Sequence, residues 1–384
     1  MNQTTSENQT TSVNSDYSRI LTYQDLVLAN IGYLIGVGIF VLIGKTLNIA
    51  GSSAWISVIL SGLFIYFISN SYIKAHDIYK TNDSEILAIS NKFGASTGSI
   101  ISVIILVVII LIAFLGALAF GSYTEALTNN FISAHSASLL GLVLAGGLNI
   151  SGIKLTVEIN KVATISGIIG LLIIIFLGLA YISKNFKSSL NNMRITEFKP
   201  WSILYGAFIF VFAYTGFELI IRLNKESVDA ANDIPDAIQH SIIITIILYT
   251  IICIVMIAVF DSHMDITDRP FANLVEKLTS NKYIIKYIEF CGSILTWTTI
   301  LFSITQSSRI LREFIYSATT SNNQLSFLSN INEYTGTPVA SVLLIILSLL
   351  MLLSTNLNII NASIITNSGL VITMCLVFAS VFKF

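Results

Sequence analysis

This sequence predicts an all-α polytopic membrane protein with about ten transmembrane helices, and three observations carry that prediction. Charged residues make up 11% of the 384-residue chain and hydrophobic residues 54%, whereas a soluble domain carries about 25% charged residues. Ile101–Ala119 and Ile242–Phe260 contain no charged side chain, and about 20 apolar residues suffice to cross the hydrocarbon of a bilayer. The apolar stretches are separated by short polar breaks, none long enough to fold as a separate soluble domain. A mean hydropathy of +0.81 agrees.

Taken in order, residues 1–20 are rich in Asn, Thr and Ser and read as a disordered cytoplasmic tail. A single transmembrane domain then fills 21–384. No secretory signal is expected, because the first apolar stretch is long and follows the acidic Asp25. Hydropathy and turn residues place spans near 25–49, 52–75, 95–125, 135–150, 156–183, 200–223, 237–260, 283–315, 337–354 and 359–382. Cut near residue 190, the chain yields two repeats of five spans, about 24–183 and 199–382. Five is odd, so the second repeat must be inverted relative to the first. The third and eighth spans are the longest, as strongly tilted helices would be. Each follows a short amphipathic segment, "SEILAISNKF" and "PFANLVEKLT". Both termini are expected on the cytoplasmic side. Lys and Arg divide almost evenly between the two faces, however, and loop 184–199, with Lys184, Lys187, Arg194 and Lys199, argues the other way.

The first span holds "IGYLIGVGIF" (31–40), with three glycines within seven positions, each costing a helix interior about 1 kcal/mol relative to alanine. Every backbone polar group in hydrocarbon needs a partner, so a break there must face protein, cavity or ligand. Gly36, Val37 and Gly38 would present N–H groups at the start of a half-helix, a setting that suits a carboxylate. Close helix packing is the alternative use of these glycines. The sixth span carries a matching break at Phe212, Ala213, Tyr214, Thr215 and Gly216, whose freed carbonyls suit an ammonium group. Interrupted spans at corresponding places in two halves point to a transporter's binding site, and N–H groups facing carbonyls match an α-amino acid zwitterion.

Glu218 is the only acid deep in a predicted span. It reads as a coupling or gating carboxylate, or as a structural partner for a backbone donor. Asp25, Arg222 and Arg309 sit near span ends as gate or interfacial charges. Tyr214 reads equally as a gate or as packing, and Phe40, Phe208, Phe212 and Tyr214 are expected to make the pocket apolar. Cys253, Cys291 and Cys375 lie in apolar stretches as small hydrophobes. The four histidines show no ligand spacing, so no metal site is expected.

Five stretches, in order, carry a resemblance. They are "LTYQDLVLANIGYLIGVGIF" (21–40), "GLNISGIKLTVEINKV" (147–162), "FVFAYTGFELIIRLNKESVDAANDIPDAI" (210–238), "SSRILREF" (307–314) and "TGTPVASVLL" (335–344). Together they resemble the amino acid–polyamine–organocation (APC) superfamily of transporters, of the amino acid permease type. The resemblance implies the LeuT-type fold, a 5+5 inverted repeat with broken first and sixth helices. It implies that amides around Gly36, Val37 and Gly38 bind a carboxylate and that backbone around Phe212, Ala213 and Thr215 binds the amino group. Tyr214 and Gly216 would shape the break, and Glu218 would hold the coupling or gating place. Many members have twelve spans where ten are counted here; the resemblance places the missing pair outside the transport core, so transport is not excluded, and dimerisation through those helices is not expected. Many members also carry a lysine in the fifth helix where this chain has Gly167. That departure leaves a sodium site, using Thr299 and Ser303, or uncoupled exchange.

The expected function is therefore secondary active transport of amino acids, neutral ones preferred, by alternating access, with H+ or Na+ as coupling ion and no other cofactor. A polyamine or cationic amine is the alternative substrate. A non-transporting sensor or scaffold and an ion channel are the other classes. The partners are a small-molecule substrate and the lipid bilayer, with no nucleic acid. An enzyme is not expected, since the sequence shows no nucleophile–base pair, metal cluster or phosphate loop.

Overall fold

The computed structural model describes residues 19–195, 198–260, 269–318, 329–355, 357 and 359–382. Fourteen α-helices follow one another among them: α1 Tyr23–Leu34, α2 Val37–Ala50, α3 Ala54–Tyr79, α4 Ser84–Phe93, α5 Ala95–Leu127, α6 Ala134–Ser151, α7 Ile153–Lys184, α8 Phe186–Met193, α9 Pro200–Phe210, α10 Ala230–Val259, α11 Pro270–Leu278, α12 Lys282–Ala318, α13 Val339–Leu353 and α14 Ile359–Val381. Two 3₁₀ segments, Val211–Tyr214 and Phe217–Leu223, lie between α9 and α10.

These pieces assemble into the ten expected spans. α1 with α2 forms the first and α9 with its 3₁₀ segments the sixth. α3, α5, α6, α7, α10, α12, α13 and α14 supply the others. Among the described residues, seven helical runs are long and apolar enough to cross a membrane by length and composition. The amphipathic segments foreseen before the third and eighth spans are α4 and α11. The two long helices behind them, α5 with 33 residues and α12 with 37, pack along each other and form the scaffold that the broken spans lean on.

Exposed side chains along the outer helices are apolar, Phe67, Val162, Phe176 and Ile372 among them, as a lipid-facing surface requires. Buried polar residues collect inside instead, on α1, α7 and α12, where Asn30, Asn160, Thr298 and Gln306 are fully enclosed. The helix predicted to begin at 237 begins at Ala230 and runs through Pro235. Proline removes one intrahelical hydrogen bond, here that of the Ala231 carbonyl. Ala231 is exposed, so water can take the place of the lost donor.

Ile20 and Leu21 are held by backbone hydrogen bonds. The Ile20 N–H and that of Leu21 donate to the Glu226 carbonyl at 2.9 Å, and the Val228 N–H donates back to Leu21. This fastens the chain start to the end of the sixth span. The remainder of the tail expected at 1–20, except for Arg19, lies outside the described residues.

Candidate functional site

The first span is anchored before it breaks. Asp25 accepts hydrogen bonds from the Thr22 N–H and hydroxyl, both at 2.8 Å, which caps α1 at its positive end. The same carboxylate pairs with Lys161 of α7. Asp25 thus fixes the start of α1 to the scaffold.

α1 stops at Leu34, and Gly36 leaves the helical conformation, with φ −116° and ψ −141°. The groups freed by the break find side chains. Tyr249 of α10 donates its hydroxyl to the Leu34 carbonyl at 2.5 Å, and the Val37 N–H donates to Thr299 Oγ1 of α12 at 3.2 Å. By helix geometry the first-turn N–H groups of α2 that remain are those of Gly38 and Ile39, at the positive end of the half-helix.

In the sixth span, α9 tightens into the 3₁₀ turn Val211–Tyr214, Thr215 is extended, and Gly216 has φ +107°. The Phe212 carbonyl accepts from both the N–H and the hydroxyl of Thr215, at 3.2 and 2.7 Å. The Gly216 N–H donates to Glu218 Oε2 at 3.0 Å. Beyond the break the chain continues as 3₁₀ helix, not α-helix, over Phe217–Leu223.

Gly216 needs to be glycine on two grounds. Its φ is left-handed, and a Cβ there would lie 3.1 Å from Tyr33 Cγ and closer still to the ring edge. Gly216→Ala is expected to destabilise the protein by about 1–2 kcal/mol through backbone strain and about 1–3 kcal/mol through the overlap. Thermal unfolding of the purified variant checks this, and an unchanged midpoint would show that Tyr33 swings aside at no cost.

The two breaks lie against each other. A Cβ on Gly38 would sit 3.0 Å from the Ala213 Cβ, 3.2 Å from its backbone nitrogen and closer still to its Cα. The glycines therefore let backbone approach backbone, with the N-terminus of α2 facing the turn at Ala213. Gly36 likewise lies against Thr299. Gly36, Val37, Gly38, Ala213 and Thr299 thus share one buried locus. Ser303 stands one turn further along α12 and bonds the Tyr33 hydroxyl at 3.0 Å.

Other expected residues stand elsewhere. Tyr214 is fully buried, donates to the Val58 carbonyl of α3 at 3.1 Å and packs against Phe210 and Tyr249, so it braces the break. Phe208 faces outward at 40% exposure, because helical spacing puts it opposite the buried Phe210 side. Phe40 is buried between Tyr123 and Phe271, with ring centroids 5.6 and 4.7 Å away. It closes the locus from the α11 side. Gly167 faces Leu295 of α12, whose Cγ would lie 2.6 Å from an added Cβ. Glu218 is buried and accepts a hydrogen bond from the Gly216 amide.

The opposite side, where the chain begins, is closed by buried ion pairs. Arg222 is 1% exposed and pairs with Asp83 at 2.9 Å and with Glu85 of α4. Arg309 pairs with Glu226 at 2.6 Å, and Asn224 bonds His76 at 2.7 Å. Asp83 and Glu85 escaped the sequence reading. Two acids flanking Ser84, with an intramembrane arginine elsewhere, were the available signal.

Burial pushes the Asp83 carboxyl up to about 7, outweighing the pull of Arg222. A carboxyl whose folded value lies above its ordinary 3.8 binds more proton folded than unfolded, so its contribution to stability falls as pH rises through that window. Asp83→Asn is expected to flatten the pH dependence of the thermal midpoint between those two values. Curves that stay parallel to wild type would refute the shift.

Residues 21–384 match the family model described as amino acid permease. The chloroplastic cationic amino acid transporter 9 of Arabidopsis thaliana is 24% identical over 65% of this chain and 47% of its own length. The branched-chain amino acid permease BcaP of Bacillus subtilis is 24% identical over 76% of this chain and 65% of its own length. The chain thus spans about half to two-thirds of the length of these curated relatives. Among solved structures, Mhp1, a nucleobase-cation-symport-1 family transporter in a closed conformation, superposes with a TM-score of 0.62 at 15% identity, over 93% of this chain and 78% of its own. A Na+-coupled sialic acid symporter gives 0.55 at 13% identity, over 91% and 79%. The fold is the LeuT type, with its first and sixth helices broken.

Proposed function

The chain belongs to the amino acid permease family, and from that premise we propose that it carries amino acids across a membrane by secondary active transport with alternating access. The observation that carries this reading is the abutment of the two breaks at Gly38 and Ala213. The positive end of α2 faces backbone from the second break, in a buried, low-dielectric setting where fixed backbone dipoles act strongly. A substrate carboxylate would take the N–H groups of Gly38 and Ile39, and its ammonium the carbonyls of the Val211–Tyr214 turn. Phe40 on one side and the Arg222 and Arg309 pairs on the other would open in turn.

A neutral amino acid fits best, because the acid nearest the second break, Glu218, is already engaged by the Gly216 amide. A cationic amino acid or polyamine is the second reading. It is favoured by the cationic amino acid transporters among the relatives and would draw on Glu218 as counter-charge. The coupling ion is H+ or Na+, with Thr299 and Ser303 as the hydroxyls a sodium ion would use.

Counterflow in proteoliposomes tests the reading. Vesicles loaded with unlabelled amino acids receive the same mixture, labelled, outside, and no coupling gradient is needed. Accumulation against empty-vesicle controls establishes transport, and competition by single amino acids then names the substrate. Retention of label at the level of protein-free vesicles, with polyamines as well as amino acids, would favour the sensor or scaffold reading.

A further inference from the structure

The ion-pair cluster at the chain-start side holds more negative charge than its arginine can balance. Glu218, Glu85 and Asp83 are three carboxyls, and Arg222 is the guanidinium among them. Glu85, Glu218 and Arg222 are 1%, 8% and 1% exposed. Fully ionised, the group would carry a net charge of −2. An uncompensated buried ion costs several kcal/mol, so such a site lowers its energy by keeping a proton.

Glu85, Glu218, Arg222, Tyr72 and Thr373 line a common void of about 20 Å³, room for one water molecule. Two buried polar atoms in this group make no hydrogen bond to protein: Glu85 Oε2 and Arg222 Nε. Polar atoms of that kind are normally satisfied by water. At one end of the group, Glu218 holds the Gly216 amide of the second break. At the other end Asp83, its side chain 21% exposed, lines a second cavity of about 510 Å³ that also borders Ser90, Ser102, Lys225 and Glu313. The carboxyls thus run from the break to the larger cavity.

The surroundings supply little other charge to the cluster. α5 contributes Ile105, Val108 and Ile109, and α14 contributes Leu370, Thr373 and the Cys375 thiol near Tyr72. On α3, His76 is engaged by Asn224 and lies 3.9 Å from Asp77. Lys225 pairs with Glu313 at 3.5 Å, Glu313 also takes Arg312 at 2.8 Å, and Arg309 takes Glu226. Burial pushes the Glu85 carboxyl up, as it does that of Asp83.

We propose that Glu218, Glu85 and Asp83, gathered on Arg222, are the proton-coupling site of this transporter. One proton is held among the three carboxyls while the gate is shut. When the Arg222 pairs open, a carboxylic acid becomes a carboxylate and the proton leaves as hydronium through Asp83 into the larger cavity. Rebinding reverses the step. The break at Gly216 feels the change because the Glu218 carboxylate that accepts its N–H sits in the same group. This assignment rests on the transport reading above and names H+ as its coupling ion.

Two measurements on the full-length protein test it. The first needs no transport: infrared spectra of purified wild type, Glu218→Gln, Glu85→Gln and Asp83→Asn on either side of neutrality. A protonated-carboxyl band in wild type that is lost or shifted in the variants is expected, and its absence, or a band identical in all four, would overturn the proposal. The second compares uptake of the labelled amino acid mixture driven by an inward acid gradient with counterflow of the same mixture. In Glu85→Gln, gradient-driven uptake measured relative to that variant's own counterflow is expected to fall by about 5- to 150-fold, the range of ordinary coupling free energies. Unchanged gradient-driven uptake in both Glu85→Gln and Asp83→Asn would overturn the proposal. So would a parallel loss of counterflow, which would make the cluster a structural gate. No counterflow in wild type would instead sink the transport reading, with the infrared result still deciding whether the cluster stores a proton.

Discussion

Gly38→Leu is expected to abolish amino acid counterflow while leaving the protein monodisperse. Even a lone Cβ would meet the Ala213 Cβ at 3.0 Å and its Cα more closely, and leucine adds three further carbons. Nothing flexible stands opposite; the obstacle is backbone. Overpacking of this kind costs about 1–3 kcal/mol, so the breaks must separate and the first-turn N–H groups of α2 move away from the second break. Gly38→Ala should lose roughly 5- to 150-fold in apparent affinity, that cost converted at 1.4 kcal/mol per decade. Competition by unlabelled amino acids in the counterflow assay reads both variants. Wild-type affinity in Gly38→Leu would remove the paired breaks as the binding site.

Arg222→Gln is expected to cost about 3–5 kcal/mol of stability, the usual penalty for stranding buried carboxylates by removing their counter-ion. The arginine is almost fully buried, and Asp83, Glu85 and Glu218 all surround it. The double variant Arg222→Gln with Glu85→Gln should recover part of the loss, because it removes a stranded charge along with the arginine. Thermal midpoints of the three proteins settle the comparison. A single variant as stable as wild type would mean that the carboxyls are already neutral without Arg222.

Much of the scaffold could be read from one dimension. The spans followed from apolar runs long enough for a bilayer, and the breaks from glycines where hydrocarbon penalises them. α4 and α11 followed from short amphipathic segments ahead of long spans. Side-chain direction was harder to read. Tyr214 and Phe208 both stand beside the second break in the chain, yet one points at the Val58 carbonyl and the other at the membrane. Tyr214 lies in a 3₁₀ turn, which rotates residues by a different angle from an α-helix, whereas Phe208 lies in α9 on the side opposite the buried Phe210. Asp83, in the polar loop, and Glu85, in the first turn of the amphipathic α4, show no sign of burial in the sequence, because acids at such places usually sit in water. Only the return of Arg222 to that loop, 137 residues later in the chain, buries them.

What the sequence determined by itself was the solvent and the places of weakness. Low charge and long apolar runs commit the chain to a membrane, and Gly36, Gly38 and Gly216 mark where helices cannot continue cheaply. Those are local properties, set by the transfer energy of side chains and the freedom of glycine. The tertiary structure alone decided which weak points meet and which charges pair. Gly38 finds Ala213, Thr299 takes the freed Val37 amide, and one arginine of the sixth span pairs with carboxyls from α4 and the loop before it. Such contacts depend on distance in space, and in a low-dielectric interior an ion or an open amide is stable only where packing brings its partner.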